Sequence, residues 1–182
     1  MLKETPETIF SNFEDLIQPR LRHSPHIRLP CDNIPDQCIL VYKYLTDDLL
    51  SLIPRGCSTE ARRQMLVAAL QGISELHSRD VVHLRKLTPA CCATRILMRP
   101  DVKPDNIMVD YRQEKDRIAI ERVQIIDFEN AAYLPKGRRL KGMLVGNENW
   151  RSPESHLRGE LNKPTDMFSF GAVVVVSHFT RV

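Results

Sequence analysis

Within Asp101-Val102-Lys103-Pro104-Asp105-Asn106, a carboxylate, an ammonium and an amide stand two and then three residues apart. The next residues, Ile107-Met108-Val109-Asp110, alternate as a strand with one buried face does. Asp, Lys, Pro and Asn are the residues that build a turn ahead of a strand. The same side chains can accept protons, neutralise anions and offer hard oxygens to a divalent cation. Residue type by itself leaves both readings open. A second carboxylate, Asp127, closes the later apolar run and is followed by Phe128 and Glu129.

The flanking segments must position these groups. Residues 5–21 carry Ile9, Phe10, Phe13, Leu16 and Ile17 at helical spacing, and the segment ends before Pro25. Ile27 and Leu29, then 38–42, read as two short strands separated by a turn over 32–36. A short helix is expected over 44–50. Ser58 or Thr59 caps a long helix in which Met65, Leu66, Ala69, Leu70, Ile73 and Leu76 keep the period. Val81-Val82-His83-Leu84 is a short apolar run, and residues 85–100 after it show no period. Strand signals return from Ile107 to Asp110 and from Ile118 to Ile126 across the charged turn 112–116. Residues 130–149 read as a loop containing Lys136, Arg138, Arg139 and Lys141. Ser152-Pro153-Glu154 starts a short helix, and Thr165-Asp166 caps an apolar one.

With 182 residues, 42% hydrophobic and 27% charged, the chain is long enough for one domain with a core. The net charge of +3 is modest and spread along the chain, so neither nucleic acid nor a membrane surface is expected as a partner. The five cysteines are odd in number and none has C-x-x-C spacing, which points to a reducing compartment and a cytoplasmic or nuclear location. The longest apolar run, Phe170 to Val176, is short of a membrane span.

Four segments stand in a telling order. Asp101-x-Lys103-x-x-Asn106 precedes a hairpin, then Asp127-Phe128, then Gly146-Asn147-Glu148-Asn149-Trp150-Arg151-Ser152-Pro153-Glu154, then Asp166-Met167-Phe168-Ser169-Phe170-Gly171. The series resembles the eukaryotic protein kinase superfamily, serine/threonine type: catalytic loop, metal motif, end of the activation segment and start of a large-lobe helix. The resemblance runs from about Glu14 to Gly171. It implies an α+β fold of protein-kinase type, in part: a small-lobe remnant and hinge over about 1–45, and a partial large lobe over 46–182 with a probable insert at 85–100.

The family implies roles for particular residues. Asp101 would meet the substrate hydroxyl and Lys103 the transferred phosphoryl group, while Asn106 and Asp127 would hold magnesium on the ATP phosphates. Tyr42-Lys43-Tyr44-Leu45 resembles the hinge, so Lys43 and Leu45 would meet adenine through their backbone, with Met108 beneath the ring. Lys103 would also touch the nucleotide. Asp166 would brace the catalytic loop through backbone amides, and His83 resembles the histidine that opens that loop. His77 is set aside, because no Lys or Asn follows it at the required distances. ATP and magnesium are the implied cofactors, and a protein substrate or partner kinase the implied partner.

The chain also departs from the pattern. No G-x-G-x-x-G occurs, and Lys3 stands close to the first helix, so no ATP-pairing lysine is expected and Glu14 would lack its partner. Glu129 replaces the Gly of the metal motif, and Leu84 or Pro100 stands where Arg would precede the catalytic Asp. Phosphoryl transfer is therefore expected to be impaired or absent, with a catalytically inactive interaction module as the alternative.

Overall fold

The computed structural model describes residues 1–21, 23–83, 102–114, 117–142 and 149–179. Asp101 and the segment 85–100 lie outside the described residues.

The chain opens with strand β1 (Leu2–Glu4), then helix α1 (Glu7–Asn12), a π-helical turn (Phe13–Ile17) and helix α2 (Gln18–Leu21). These three helical pieces are continuous and bury Ile9, Phe10, Phe13, Ile17 and Leu21, the face that the periodicity marks. Leu16 follows the period yet is exposed. Strand β2 (Asp32–Ile34) pairs with β3 (Ile39–Val41), and β3 pairs with β1, giving an antiparallel sheet of order β1-β3-β2.

The first hairpin strand is not at Ile27 and Leu29, as the sequence suggests, but at 32–34, inside the expected turn. The turn itself is a 3-10 segment, Pro35–Gln37, closed by Cys38 in the left-handed region at φ 52°. Ile27 instead forms a parallel bridge to Ile125, with Arg28 N donating to the Ile125 carbonyl at 3.0 Å. A fully buried Ile was correctly read as extended, but its partner lies almost a hundred residues away.

Strand β4 (Asp47–Asp48) leads into helix α3 (Leu49–Leu52), capped by the Asp48 carboxylate, which accepts from Ser51 N. Helix α4 (Thr59–Ser78) begins as expected at Ser58, whose hydroxyl accepts from Ala61 N. It buries Met65, Leu66, Ala69 and Ile73 beneath the long hairpin and Leu76 against the first helical segment, while Leu70 faces outward. Gly72 sits where α4 passes under the hairpin. A Cβ there would meet the Ile125 side chain at 2.9 Å and the His26 carbonyl at 3.0 Å, so any larger residue would make both give way.

After β5 (Val81–Val82), the hairpin β6 (Ile107–Glu114) and β7 (Arg117–Ile125) extends further than the four-residue strand signal at 107–110. Ile107, Val109, Val123 and Ile125 point into the main core with α3, α4 and the last helix. Strand β8 (Ala132–Tyr133) pairs with β5, and β9 (Leu140–Lys141) pairs with β10 (Glu160–Leu161). Helix α5 (Pro153–His156) is capped by Ser152, as expected.

Helix α6 (Lys163–Phe179) begins earlier than Thr165-Asp166. The Asn162 carboxamide oxygen accepts from Lys163 N at 2.7 Å, and the Thr165 hydroxyl accepts from Asn162 N at 3.3 Å. Thr165 thus serves the cap from inside the helix.

Candidate active site

The β6–β7 hairpin places two of the expected metal ligands. Its register pairs Ile107 with Ile125, and one step further Ile126 N donates to the Asn106 carbonyl at 3.0 Å. Asn106 and Asp127 therefore leave the sheet at the same end, and Asn106 is buried. Asp127 has φ 62°, a left-handed conformation that costs free energy for any residue with a Cβ and that Asp tolerates better than most. Such strain concentrates at functional positions. Among the described residues no group of three or more His, Cys, Asp or Glu side chains could hold a metal ion. A carboxylate and an amide oxygen at one hairpin end are the hard donors that magnesium takes, with the remaining positions left to water or phosphate.

The structure revises the reading of Lys3. Far from being consumed by the helix, Lys3 lies in β1 opposite Leu40, and its ammonium stands 2.6 Å from Asp127 Oδ1 and 2.7 Å from Glu129 Oε2. Burial disfavours its charge, but the Glu129 and Asp127 carboxylates outweigh that and raise its pKa. Closeness to the helix in sequence does not keep Lys3 out of a strand. Two residues separate strand from helix, with Pro6 as the extended N-cap at φ −56° and ψ 143°.

Glu129 is the residue that sequence reasoning undervalued. It is 5% exposed, and its second oxygen accepts from the Tyr42 hydroxyl at 2.5 Å. Burial and the Glu129 charge push the Tyr42 pKa up, so this phenol stays protonated and donating. Between the two carboxylates, Phe128 is buried with Leu40 and packs on Phe13, ring centroids 5.9 Å apart and tilted by 54°. Glu14, the helix carboxylate expected to lack a lysine partner, accepts from Asn33 Nδ2 at 3.0 Å.

A second buried carboxylate holds the region before the catalytic loop. Asp166, fully buried in α6, accepts from His83 N at 2.8 Å through Oδ2, and the same oxygen lies 2.8 Å from His77 Nε2. His77 is therefore a partner of this aspartate, although the sequence reading set it aside for lacking a downstream Lys and Asn. His83 Nε2–H donates to the Ile126 carbonyl at 2.9 Å, next to Asp127. The two histidines tie α4, β5, α6 and the metal-motif strand together.

The other expected contacts are placed as follows. Lys103 is half-buried and ion-paired with Asp105, two residues on. The Lys43 carbonyl accepts from Arg28 Nε at 3.1 Å, and Arg28 also lies over the Tyr42 ring. The Leu45 side chain is buried, and Met108 stands partly buried in β6, paired with Asp48 on one side and Gln124 on the other. In the basic loop, Lys136 and Arg138 are exposed, while Arg139 and Lys141 pair with Glu160 across β9 and β10.

A family model described as the protein kinase domain matches residues 26–181. Serine/threonine-protein kinase pak-1 of Caenorhabditis elegans is 24% identical over 180 residues, an alignment covering 96% of this chain and 27% of that protein. Serine/threonine-protein kinase dkf-2 of Caenorhabditis briggsae is 26% identical over 146 residues, 78% of this chain and 10% of its own length. A probable receptor-like protein kinase of Arabidopsis thaliana is 26% identical over 153 residues, 79% of this chain and 21% of its own. The chain thus spans between 10% and 27% of the length of these relatives. Among solved structures, a chain of the yeast RNA Pol II CTD kinase CTDK-1 complex aligns with a TM-score of 0.71 at 20% identity, covering 97% of this chain and 53% of that one. This likeness shows an α+β fold shared with part of a kinase. Together with the ordered motifs, the family match establishes that the chain belongs to the protein kinase family.

Proposed function

We propose that this chain carries a serine/threonine-type protein kinase site that binds Mg-ATP and directs its terminal phosphoryl group to a protein hydroxyl. The observation that carries the reading is the ion pair between Lys3 and Asp127, because it joins a strand lysine to the metal motif in a chain where the sequence suggested that no such lysine existed. Asp101 accepts the hydroxyl proton, a role that rests on its place five residues before Asn106. Lys103 sits between them in sequence and neutralises charge on the phosphoryl oxygens; its pairing with Asp105 occupies one of three ammonium donors. Asn106 and Asp127 are the residues that would hold magnesium, which when bound neutralises the phosphate charge. Lys43 and Leu45 meet adenine along the hinge, and Met108 lies below it.

Asp166 holds the His83 amide, and by that bond it serves as a positioning residue for the site. Positioning matters here, since an error of about 1 Å at a catalytic group can cost on the order of a hundredfold in rate. The test is nucleotide titration and phosphotransfer by the intact chain. Mg-ATP should raise the melting temperature, and both Lys3→Met and Asp101→Asn should abolish transfer. A chain that neither binds Mg-ATP nor transfers phosphate would instead be the interaction module, with this surface docking a partner kinase or substrate.

A further inference from the structure

We propose that Glu129, the last residue of the metal motif, is the carboxylate that positions Lys3 for the nucleotide, in the place that the sequence assigns to the helix residue Glu14. The proposal rests on the Mg-ATP reading given above and deepens it.

The geometry begins with a strand pair. In an antiparallel ladder, directly opposed residues project to the same face, and so do residues two apart on one strand. Lys3 is opposite Leu40, and Tyr42 lies two residues beyond Leu40. The sheet therefore presents Lys3, Leu40 and Tyr42 on one face. Asp127-Phe128-Glu129 lies against that face residue for residue. Phe128 joins Leu40 in the core, Asp127 takes Lys3, and Glu129 takes both Lys3 and the Tyr42 hydroxyl. Both Glu129 oxygens are engaged, one by an ammonium and one by a phenol.

Two carboxylates on one ammonium leave a donor over. A lysine has three N–H groups, Asp127 and Glu129 use two, and the third is available to a phosphate oxygen. The helix contributes differently. It turns the Phe13 ring toward Phe128, and the neighbouring Glu14 reaches Asn33 on β2. The helix supplies apolar packing, and the metal motif supplies the charge that orients the lysine. A glycine at position 129 would do neither, so the departure from the family pattern is itself the device.

A consequence separates this arrangement from one held by the helix: the lysine and the metal ligand move together, because Glu129 is two residues from Asp127. The experiment is a set of Mg-ATP titrations by calorimetry on the full chain and on Glu129→Gln, Glu14→Gln, Lys3→Met and the Lys3→Met/Glu129→Gln double variant. Glu129→Gln keeps the shape and a hydrogen-bond acceptor for Tyr42, and should weaken Mg-ATP about tenfold, the effect of one charge-assisted hydrogen bond. Glu14→Gln should stay within about twofold. The double variant should bind no more weakly than Lys3→Met, which a residue with a merely structural role would not produce. A tenfold loss in Glu14→Gln with none in Glu129→Gln, or additive losses in the double variant, overturns the proposal.

Absence of Mg-ATP binding by the parent chain would defeat the functional reading and leave the positioning testable by melting of the free proteins. Equal decreases for Lys3→Met, Glu129→Gln and the double variant support the pair, and additive decreases overturn it. Should Glu129→Gln fail to fold, Glu129→Asp, one methylene shorter, should lose affinity severalfold; affinity equal to the parent's overturns the proposal.

Discussion

Two buried carboxylates organise this molecule, and they do so with different partners. Asp166 is wholly buried in α6 and takes a backbone amide and an imidazole on one oxygen. Glu129 lies at the boundary between the sheet and the metal motif and takes a lysine and a phenol, one on each oxygen. The first braces the chain, since its donors are parts of α4 and the strand after it. The second holds the Lys3 ammonium, which also pairs with Asp127. The contrast shows that burial alone does not identify a working carboxylate; the identity of the donor does.

The comparison can be broken first at Asp166. Asp166→Ala leaves the His83 amide and His77 without their acceptor inside the core, so it should cost about 3 kcal/mol or more in denaturant unfolding. A cost under about 1 kcal/mol would show that water enters the cavity and replaces the carboxylate. Next comes Tyr42→Phe, which removes one donor from Glu129 while preserving the packing. About 1 kcal/mol is expected, with Mg-ATP affinity nearly unchanged because the lysine contact is untouched.

The third concerns residues 85–100, which have no helical or strand period in the sequence. Joining Leu84 to Asp101 should raise the melting temperature by some degrees, at about 2 to 4 °C per kcal/mol for a chain of this size. A lower melting temperature would mean that the segment packs as part of the domain. Fourth, Glu75 tests the surface by pH. Burial works against its charge, but hydrogen bonds from Ser24 and His26 outweigh burial and hold its carboxyl below the ordinary value. Its contribution to stability is present above the ordinary Glu pKa of about 4.3 and is lost as pH falls through the lower folded value. Glu75→Gln should lower the melting temperature at neutral pH, where that contribution is fully present, and flatten the acid limb of the profile. The smallest effect belongs to Glu160→Gln, whose exposed pairs with Arg139 and Lys141 should leave the melting temperature almost unmoved.

How much of this was legible differs between the two carboxylates. Asp166 could be read because it belongs to a motif that stands in order with three others, and its donor His83 follows the short apolar run Val81-Val82. The long helix at Ser58 and the hairpin after Asn106 were legible for a similar reason: local period and caps specify both. Lys3 and Glu129 were not. Their partnership depends on which strand lies beside which, and no periodicity in residues 1–45 states that β1 pairs with β3. The hairpin at 32–34 was misplaced for the same cause, since Ile27 looks like a hairpin strand until its bridge to Ile125 is known. Position 129 was judged by the freedom that a glycine would have had, when the side chain's reach mattered more.

The Lys3–Glu129 contact also sets a time order for assembly. It joins residues 126 apart in the chain, and the Tyr42–Glu129 contact joins residues 87 apart, whereas β6 and β7 meet across a local turn. A ribosome adding about 5–20 residues per second leaves Lys3 waiting for roughly 6 to 25 s before Glu129 has even been synthesised. Through that interval neither carboxylate that receives Lys3 in the folded chain exists, and long-range contacts of this kind form late. Lys3 thus gains its partners only after the sheet and the long helix have been synthesised, so the Lys3–Glu129 contact reports on the completion of folding as well as on local chemistry.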